Sequence, residues 1–427
     1  MLTLDISSTL AKAITPSMGI PDAEMSGLRT SMKKHVEDWL KERSAGDHAW
    51  SMDPYDKKTI QRVREAAMAA KGHGIKTVLW IGIGGSGLGP KVIQEAFETP
   101  DTMQFIVVDT IDPAALLQIL SIVEWKTTLI VIASKSGDTL EPMSAFFLFW
   151  EHLCSQRKLK PKDHVIAVTD SQKGTLHEFC VNNDIPMLPI PDGVGGRYSI
   201  FTPIGLLPLA LLDGDVAAFV RGAKEMDTLC QSTSLSENPA AQLAATQFLL
   251  DTRRGYPVRV IMPYSVRMQS LARWNQQLIA ESLGKTETAN PIPVAAIGTQ
   301  DQHSLLQQWM AGPRKSWHLF LRELEKPRLN VPEDVAPEWK EIAGKSFGTL
   351  LDACYEGTSR ALTSAKRPHA TISLTRLDAS HLGQLFFLLL TEVVLLGKLY
   401  RIDPYGQPAV EVGKQITKQL LSRGRLE

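Results

Sequence analysis

Two short stretches concentrate groups able to hold an anion. In WIGIGGSGLGP, residues 80–90, Gly82, Gly84 and Gly87 spell G-x-G-x-x-G after the apolar run IKTVLWIG and before the helical pattern VIQEAF. Asp109, at the end of the next apolar run QFIVVD, stands roughly where a dinucleotide fold holds a ribose. The glycines alone are compatible with a dinucleotide site, with another phosphate, or with a tight turn that binds nothing. The second stretch, TLIVIASKSGDTLEPMSAF, places Ser134, Lys135, Ser136 and Thr139 directly before a helix. Asp138 and Glu141 have capping-box spacing, so that helix is expected to start there, its free N–H groups and positive dipole end favouring an anion. Hydroxyls with one lysine suit a compact phosphomonoester better than an extended dinucleotide, and two such loops on neighbouring strands share the edge where ligands of α/β sheets bind.

The elements that must position these loops follow from the apolar pattern. Residues 1–70 read as an amphipathic helical segment broken at SMDPYD. TVLWIG, QFIVVD, TLIVIA and HVIAVT are nearly continuous Val/Ile/Leu runs, each followed by a polar turn and a helix, which predicts parallel strands buried on both faces. A second α/β unit shows VRVIMPY, PVAAIG, SWHLFLREL and HATISLTRL, then the apolar LGQLFFLLLTEVVLLGKLY and a last helix, PAVEVGKQITKQLL. The expected organisation is an N-terminal helical segment (1–70), a first α/β domain (71–230), a second (231–403) and a C-terminal helix (404–427).

Bulk properties exclude several classes. Lys+Arg and Asp+Glu both number 46, so no basic field points to nucleic acid or a membrane surface. The four cysteines (154, 180, 230, 354) form no C-x-x-C and no close pair, and the ten histidines give no H-E-x-x-H. No disulfide framework or zinc site is expected, and a reducing, cytoplasmic setting is. LFFLLLTEVVLLG carries Glu392 and reads as a core helix too short, as an uninterrupted run, to span a bilayer.

GIGGSGLGP, SKSGDTLEP, GVGGRYSIFTPIGLLP, QQLIAESLGK, GTQDQHSLLQQ and VEVGKQ occur in the order found in glucose-6-phosphate isomerases, across residues 80–415. The chain resembles the shorter bacterial form, and SKSGDT alone is similar to the wider sugar-isomerase (SIS) domain group. The resemblance implies two SIS-type, doubly wound, mainly parallel α/β domains with helical terminal segments and the active site between them. It also implies a homodimer in which each site borrows a histidine, neither metal nor organic cofactor, and aldose–ketose isomerisation of a sugar phosphate through a cis-enediol in glycolysis and gluconeogenesis.

Such chemistry needs a base and a stabiliser of enediolate charge. Glu281, beside Trp274 and one turn from Gln277 on a helix from about Leu271, lies at the edge of an apolar stripe where desolvation strengthens a base. The motif match makes it the expected base and assigns Gln277 to substrate. Arg197 follows Gly195 and Gly196, which let the backbone approach a ligand, and its guanidinium can hold enediolate charge. The resemblance assigns His303 to ring opening from across the dimer interface. It brings Lys414, placed at the edge of the last helix's buried side near Val410 and Leu421, to the substrate. Gly85 and Ser86 then line the sugar beside a phosphate held by Ser134, Lys135, Ser136 and Thr139, and Asp109 becomes structural. Two alternatives are a non-catalytic sugar-phosphate regulator, which need not keep Glu281, Arg197, His303 and Lys414 together, and an NAD-dependent oxidoreductase.

Overall fold

The computed structural model describes residues 1–156, 159–288 and 291–422. The first sheet is wholly parallel, in the order β3 (Gln104–Val108), β2 (Thr77–Ile81), β4 (Thr128–Ala133), β5 (Val165–Thr169), β6 (Met187–Pro189). Central β2 and β4 are buried at every residue, which is why their sequences show no alternation. The chain leaves β2 to form β3 on one side and returns to form β4 on the other. The winding therefore reverses between β2 and β4, and the crevice there, outside the carboxyl ends of the strands, is where such sheets bind ligands. The two anion-type loops end those two strands.

The second sheet has the order β1 (Thr3–Asp5), β10 (His369–Leu374), β9 (Ser316–Glu323), β7 (Val258–Pro263), β8 (Ile292–Ala295). Its last four strands are parallel, while β1 adds to β10 antiparallel. The N-terminal segment is thus mostly helical but also closes the edge of the distant second sheet. Three residues with an exposed–intermediate–exposed pattern carry too little periodicity to announce a strand.

The helix Ala379–Tyr400 holds the two sheets together. Leu385 to Leu390 and Val393 to Leu396 join one buried cluster with Val78 and Trp80 of the first sheet and Ile261, Leu319 and Ile372 of the second. This 22-residue helix, longer than the run LFFLLLTEVVLLG, is long and apolar enough to cross a membrane by length and composition, but 89% of its apolar window is buried inside the protein, as expected of a core helix. Its Glu392, fully buried, forms a two-pronged pair with Arg259. Burial raises the Glu392 carboxyl and the arginine opposes that shift, as a charge taken out of water requires.

The last helix, Ala409–Ser422, corrects a second expectation. None of its residues is buried, and Val410, Val412, Ile416, Leu420 and Leu421 are all exposed. The amphipathic pattern is real, but within this chain its apolar side has no surface to cover. The end of the expected 404–427 segment, residues 423–427, lies outside the described residues.

Two histidines in the second sheet predict how the fold responds to acid. Burial, helped by the neighbouring His369 and Arg367, pushes His318 down to about 3, and both of its ring nitrogens lack a partner. Burial pushes His369 down to about 4. Both titrate near 6.5 when unfolded, so below that pH the unfolded chain binds protons that the folded chain excludes. Stability is present in full above 6.5 and falls as the pH drops towards 4 and 3. His318→Phe, which keeps a ring between Trp309 and Phe320, is expected to remove about 2 kcal/mol of the stability lost between about pH 6.5 and about pH 4.5. Urea unfolding at the two pH values checks this, and an unchanged difference between them contradicts it.

Candidate active site

Each loop at the switch point is shaped by a glycine that admits nothing larger. After β2 the helix Gly85–Phe97 starts inside the glycine run, with Gly84 at φ +58°. A Cβ on Gly85 would lie 2.2 Å from the carbonyl of Gly196 and 2.5 Å from the Arg197 nitrogen. Protein backbone thus packs against the first turn, and that backbone carries Arg197. Ser86 accepts the Trp80 indole N–H on its carbonyl, at 2.8 Å. Asp109 pairs with Lys91 at 3.3 Å, away from the cleft, and is structural.

After β4, Gly137 has φ +75°, and a Cβ there would meet the Leu176 nitrogen at 2.3 Å. The Gly137 N–H donates to Ser134 Oγ at 3.1 Å and the Asp138 N–H to Ser136 Oγ at 3.2 Å, folding the loop on its own hydroxyls. Lys135 Nζ donates to the carbonyls of Pro191 and Val194, at 3.1 and 3.2 Å. The predicted capping box does not form. The helix is Leu140–Trp150, one residue later than the box requires, with Thr139 as its N-cap and no side-chain cap, while Asp138 lies 3.1 Å from the Thr175 hydroxyl. The side chain therefore competes for none of the first-turn N–H groups, and the start of the helix faces the cleft.

The opposite wall comes from three further elements. Arg197, only 3% exposed, sits in the Gly196–Phe201 turn. Its Nε donates to Ser282 Oγ (2.8 Å), Nη1 to Glu281 Oε2 (3.1 Å) and Gln407 Oε1 (2.8 Å), and Nη2 to the carbonyls of Pro404 (2.7 Å) and Gly406 (3.1 Å). Glu281 and Gln277 lie one turn apart on the helix Gln269–Leu283, and Gln277 Nε2 donates to Glu281 Oε1 at 2.7 Å. The Gln277 carbonyl oxygen is buried without a partner and is free to take a ligand hydroxyl. Glu281 keeps 30% exposure and faces a guanidinium, so it is less desolvated than an apolar stripe implied.

Together these groups line one cleft of ≈ 790 Å³. Gly85, Ser86, Ser134, Lys135, Ser136, Thr139, Arg197, Gln277, Glu281 and Lys414 all reach it. Lys414 does so from the exposed last helix, 55% exposed and paired with Glu411 at 2.7 Å. His303 does not line the cleft of its own chain; it stands exposed on the short helix Gln300–Ser304. Sequence reasoning missed Gln407, Asp170 and Lys173, which also line the cleft. None of the three had a usable signal: Gln407 precedes the last helix in the turn DPYGQP, and Asp170 and Lys173 follow β5 in the unremarkable turn TDSQKG. Among the described residues no cluster of three His, Cys, Asp or Glu side chains could hold a metal ion. Chemically, the cleft pairs an anion-binding rim with a carboxylate, a guanidinium and an amide at the far wall.

Comparison with known proteins identifies the family of the chain. A family model described as "Phosphoglucose isomerase" matches residues 47–314. The chain is 35% identical to a glucose-6-phosphate isomerase of Rubrobacter xylanophilus, over 87% of this chain and 88% of that one. It is 32% identical to a probable glucose-6-phosphate isomerase of Haloarcula marismortui, over 98% and 94%. Among solved structures, a hypothetical protein of Thermus thermophilus superposes with a TM-score of 0.89 at 29% identity, covering 99% of this chain and 100% of that one. The chain belongs to the phosphoglucose isomerase family.

Proposed function

We propose that this cleft interconverts glucose 6-phosphate and fructose 6-phosphate, and that its residues act as follows. The phosphate sits against Ser134, Lys135, Ser136 and Thr139 at the start of the Leu140–Trp150 helix, with the sugar running past Gly85 and Ser86 towards the far wall. Lys414 and a histidine, His303 of a second subunit, move the protons that open the ring. Glu281 takes the proton from carbon 2 of the open aldose and returns it to carbon 1, and Arg197 holds the charge that develops on the enediolate oxygens. Gln277 orients a sugar hydroxyl. The observation that carries this reading is the 3.1 Å contact between the Arg197 guanidinium and the Glu281 carboxylate in the same cleft as the 134–139 loop. A carboxylate already beside a fixed cation can accept a proton next to an oxyanion without the site having to rearrange.

The phosphate role is tested apart from the chemistry. Ser134→Ala with Thr139→Ala is expected to raise KM for fructose 6-phosphate about tenfold or more while kcat stays within a few-fold, since each lost hydroxyl donor to a charged group is worth about 1.5–3 kcal/mol. An unchanged KM contradicts the assignment.

The working unit is a homodimer. Support comes from the exposed apolar side of the last helix and from His303, exposed and outside its own cleft. Mixing inactive Glu281→Gln with inactive His303→Ala chains under subunit exchange is expected to restore activity if each site draws on both chains. No restoration in demonstrated mixed dimers contradicts the shared site. Four free thiols and no disulfide among the described residues support work in the reducing cytoplasm.

A further inference from the structure

The structure points to Lys285, which lines no part of the cleft, as a positioning residue for it. The chain leaves the core helix at Tyr400, turns through Arg401 at φ +59°, and crosses residues 403–407 before the last helix begins at Ala409. The first four of these five residues present their main-chain carbonyls to two cations. Arg197 takes those of Pro404 and Gly406, and Lys285 Nζ takes those of Asp403, at 2.6 Å, and Tyr405. The four acceptors alternate between the two side chains. On the other side the Tyr405 hydroxyl accepts the Trp50 indole N–H at 3.0 Å and bonds His48 Nδ1. The segment is a strap gripped from both faces.

What the strap carries explains why the grip matters. It supplies three of the five acceptors of Arg197: the Pro404 and Gly406 carbonyls and the Gln407 side chain. Immediately beyond it stands the helix that bears Lys414 and has no buried residue. Within this chain, the approach of Lys414 to the cleft is therefore set where its helix is rooted. Lys285 follows the helix of Gln277 and Glu281 by two residues, so it ties the base-bearing element directly to the root of the Lys414 helix. We infer that Lys285 holds the strap in register, and through it aligns Arg197 and Lys414 with Glu281. This inference rests on the isomerase reading of the cleft. Because the acceptors are main-chain carbonyls, the requirement falls on the cation and not on the side chains of the strap.

The test compares Lys285→Met, which keeps the stem without the charge, with Lys285→Arg, which restores two donors. Lys285→Met is expected to lower kcat about ten- to a hundredfold, the scale of a misplacement of about 1 Å. KM should stay within threefold, since the 134–139 loop is untouched. Lys285→Arg should recover most of the loss. Deuterium uptake by peptides spanning 403–416 should rise in Lys285→Met and stay near wild type in Lys285→Arg. Should Lys285→Met fail to fold, Lys285→Gln carries the same expectations. Unchanged kcat, unchanged uptake, or equal losses in both variants overturns the proposal. An inactive wild-type chain would instead defeat the isomerase reading, and the exchange measurement would still decide whether Lys285 grips the strap.

Discussion

Glu281→Gln is expected to reduce kcat by about 10²- to 10⁴-fold, the usual contribution of a positioned general base. The substitution is nearly isosteric. The single amide oxygen replaces only one of the two carboxylate acceptors: turned to Arg197 it still accepts there, and its NH2 then faces Gln277, whose own amide must flip to accept it for the wall of the cleft to keep its shape. What is lost is the capacity to take a proton. Binding of a sugar phosphate, measured by calorimetry with a non-isomerisable analogue, should change by less than a few-fold because the 134–139 loop is far along the cleft from the substitution. Wild-type turnover in this variant contradicts the assignment. A loss of binding in step with turnover would mean that Glu281 is a ligand contact and not the base.

Arg197→Lys is the second large effect, and it acts on both stability and rate. One guanidinium satisfies Ser282, Glu281, Gln407 and the carbonyls of Pro404 and Gly406 while only 3% exposed to solvent. A lysine has three donors around a point and cannot reproduce a planar fork that meets five acceptors in different directions. The expected cost is about 2–4 kcal/mol of stability, because buried acceptors lose their partner. The expected fall in kcat is about 10²–10³-fold, the effect of removing an oriented donor from developing oxyanion charge. Thermal unfolding and steady-state kinetics on the same preparation check both numbers. A variant that retains both stability and turnover would show that the charge suffices and the fork geometry does not matter.

The contrast between Arg197 and Gln407 shows what the sequence could and could not reveal. Parallel strands buried on both faces read directly as unbroken apolar runs, and TLIVIA coincides with β4. The two loops at the switch point were legible as candidate anion sites because such a turn is local: glycine, hydroxyl and cation stand side by side in the chain. Arg197 was legible because two glycines precede it. Gln407, Asp170 and Lys173 were not, since they meet the cleft only after β5 and the strap are brought to it in three dimensions. The failed capping box has the same origin. Asp138 and Glu141 have the right spacing, but the loop folds against Thr175, 37 residues from Asp138, and the helix starts one residue later with Thr139 as its N-cap. The last helix shows the limit of periodicity, which detects an apolar side but does not say whether the same chain covers it. Lys285 stood in the motif QQLIAESLGK with no role assigned to it until its two carbonyl partners, 118 and 120 residues distant, were in view.

The proposed chemistry turns on Glu281 moving a proton between carbons 2 and 1 of a hexose 6-phosphate. Its most direct test incubates the purified chain with fructose 6-phosphate in deuterated water, with a chelator present, through many turnovers, and examines glucose 6-phosphate by NMR. Glucose 6-phosphate with deuterium at carbon 2 is expected, formed by the wild type and about 10²- to 10⁴-fold more slowly by Glu281→Gln. A folded, substrate-binding wild-type chain that gave no glucose 6-phosphate, or gave it with no deuterium at carbon 2, would contradict it.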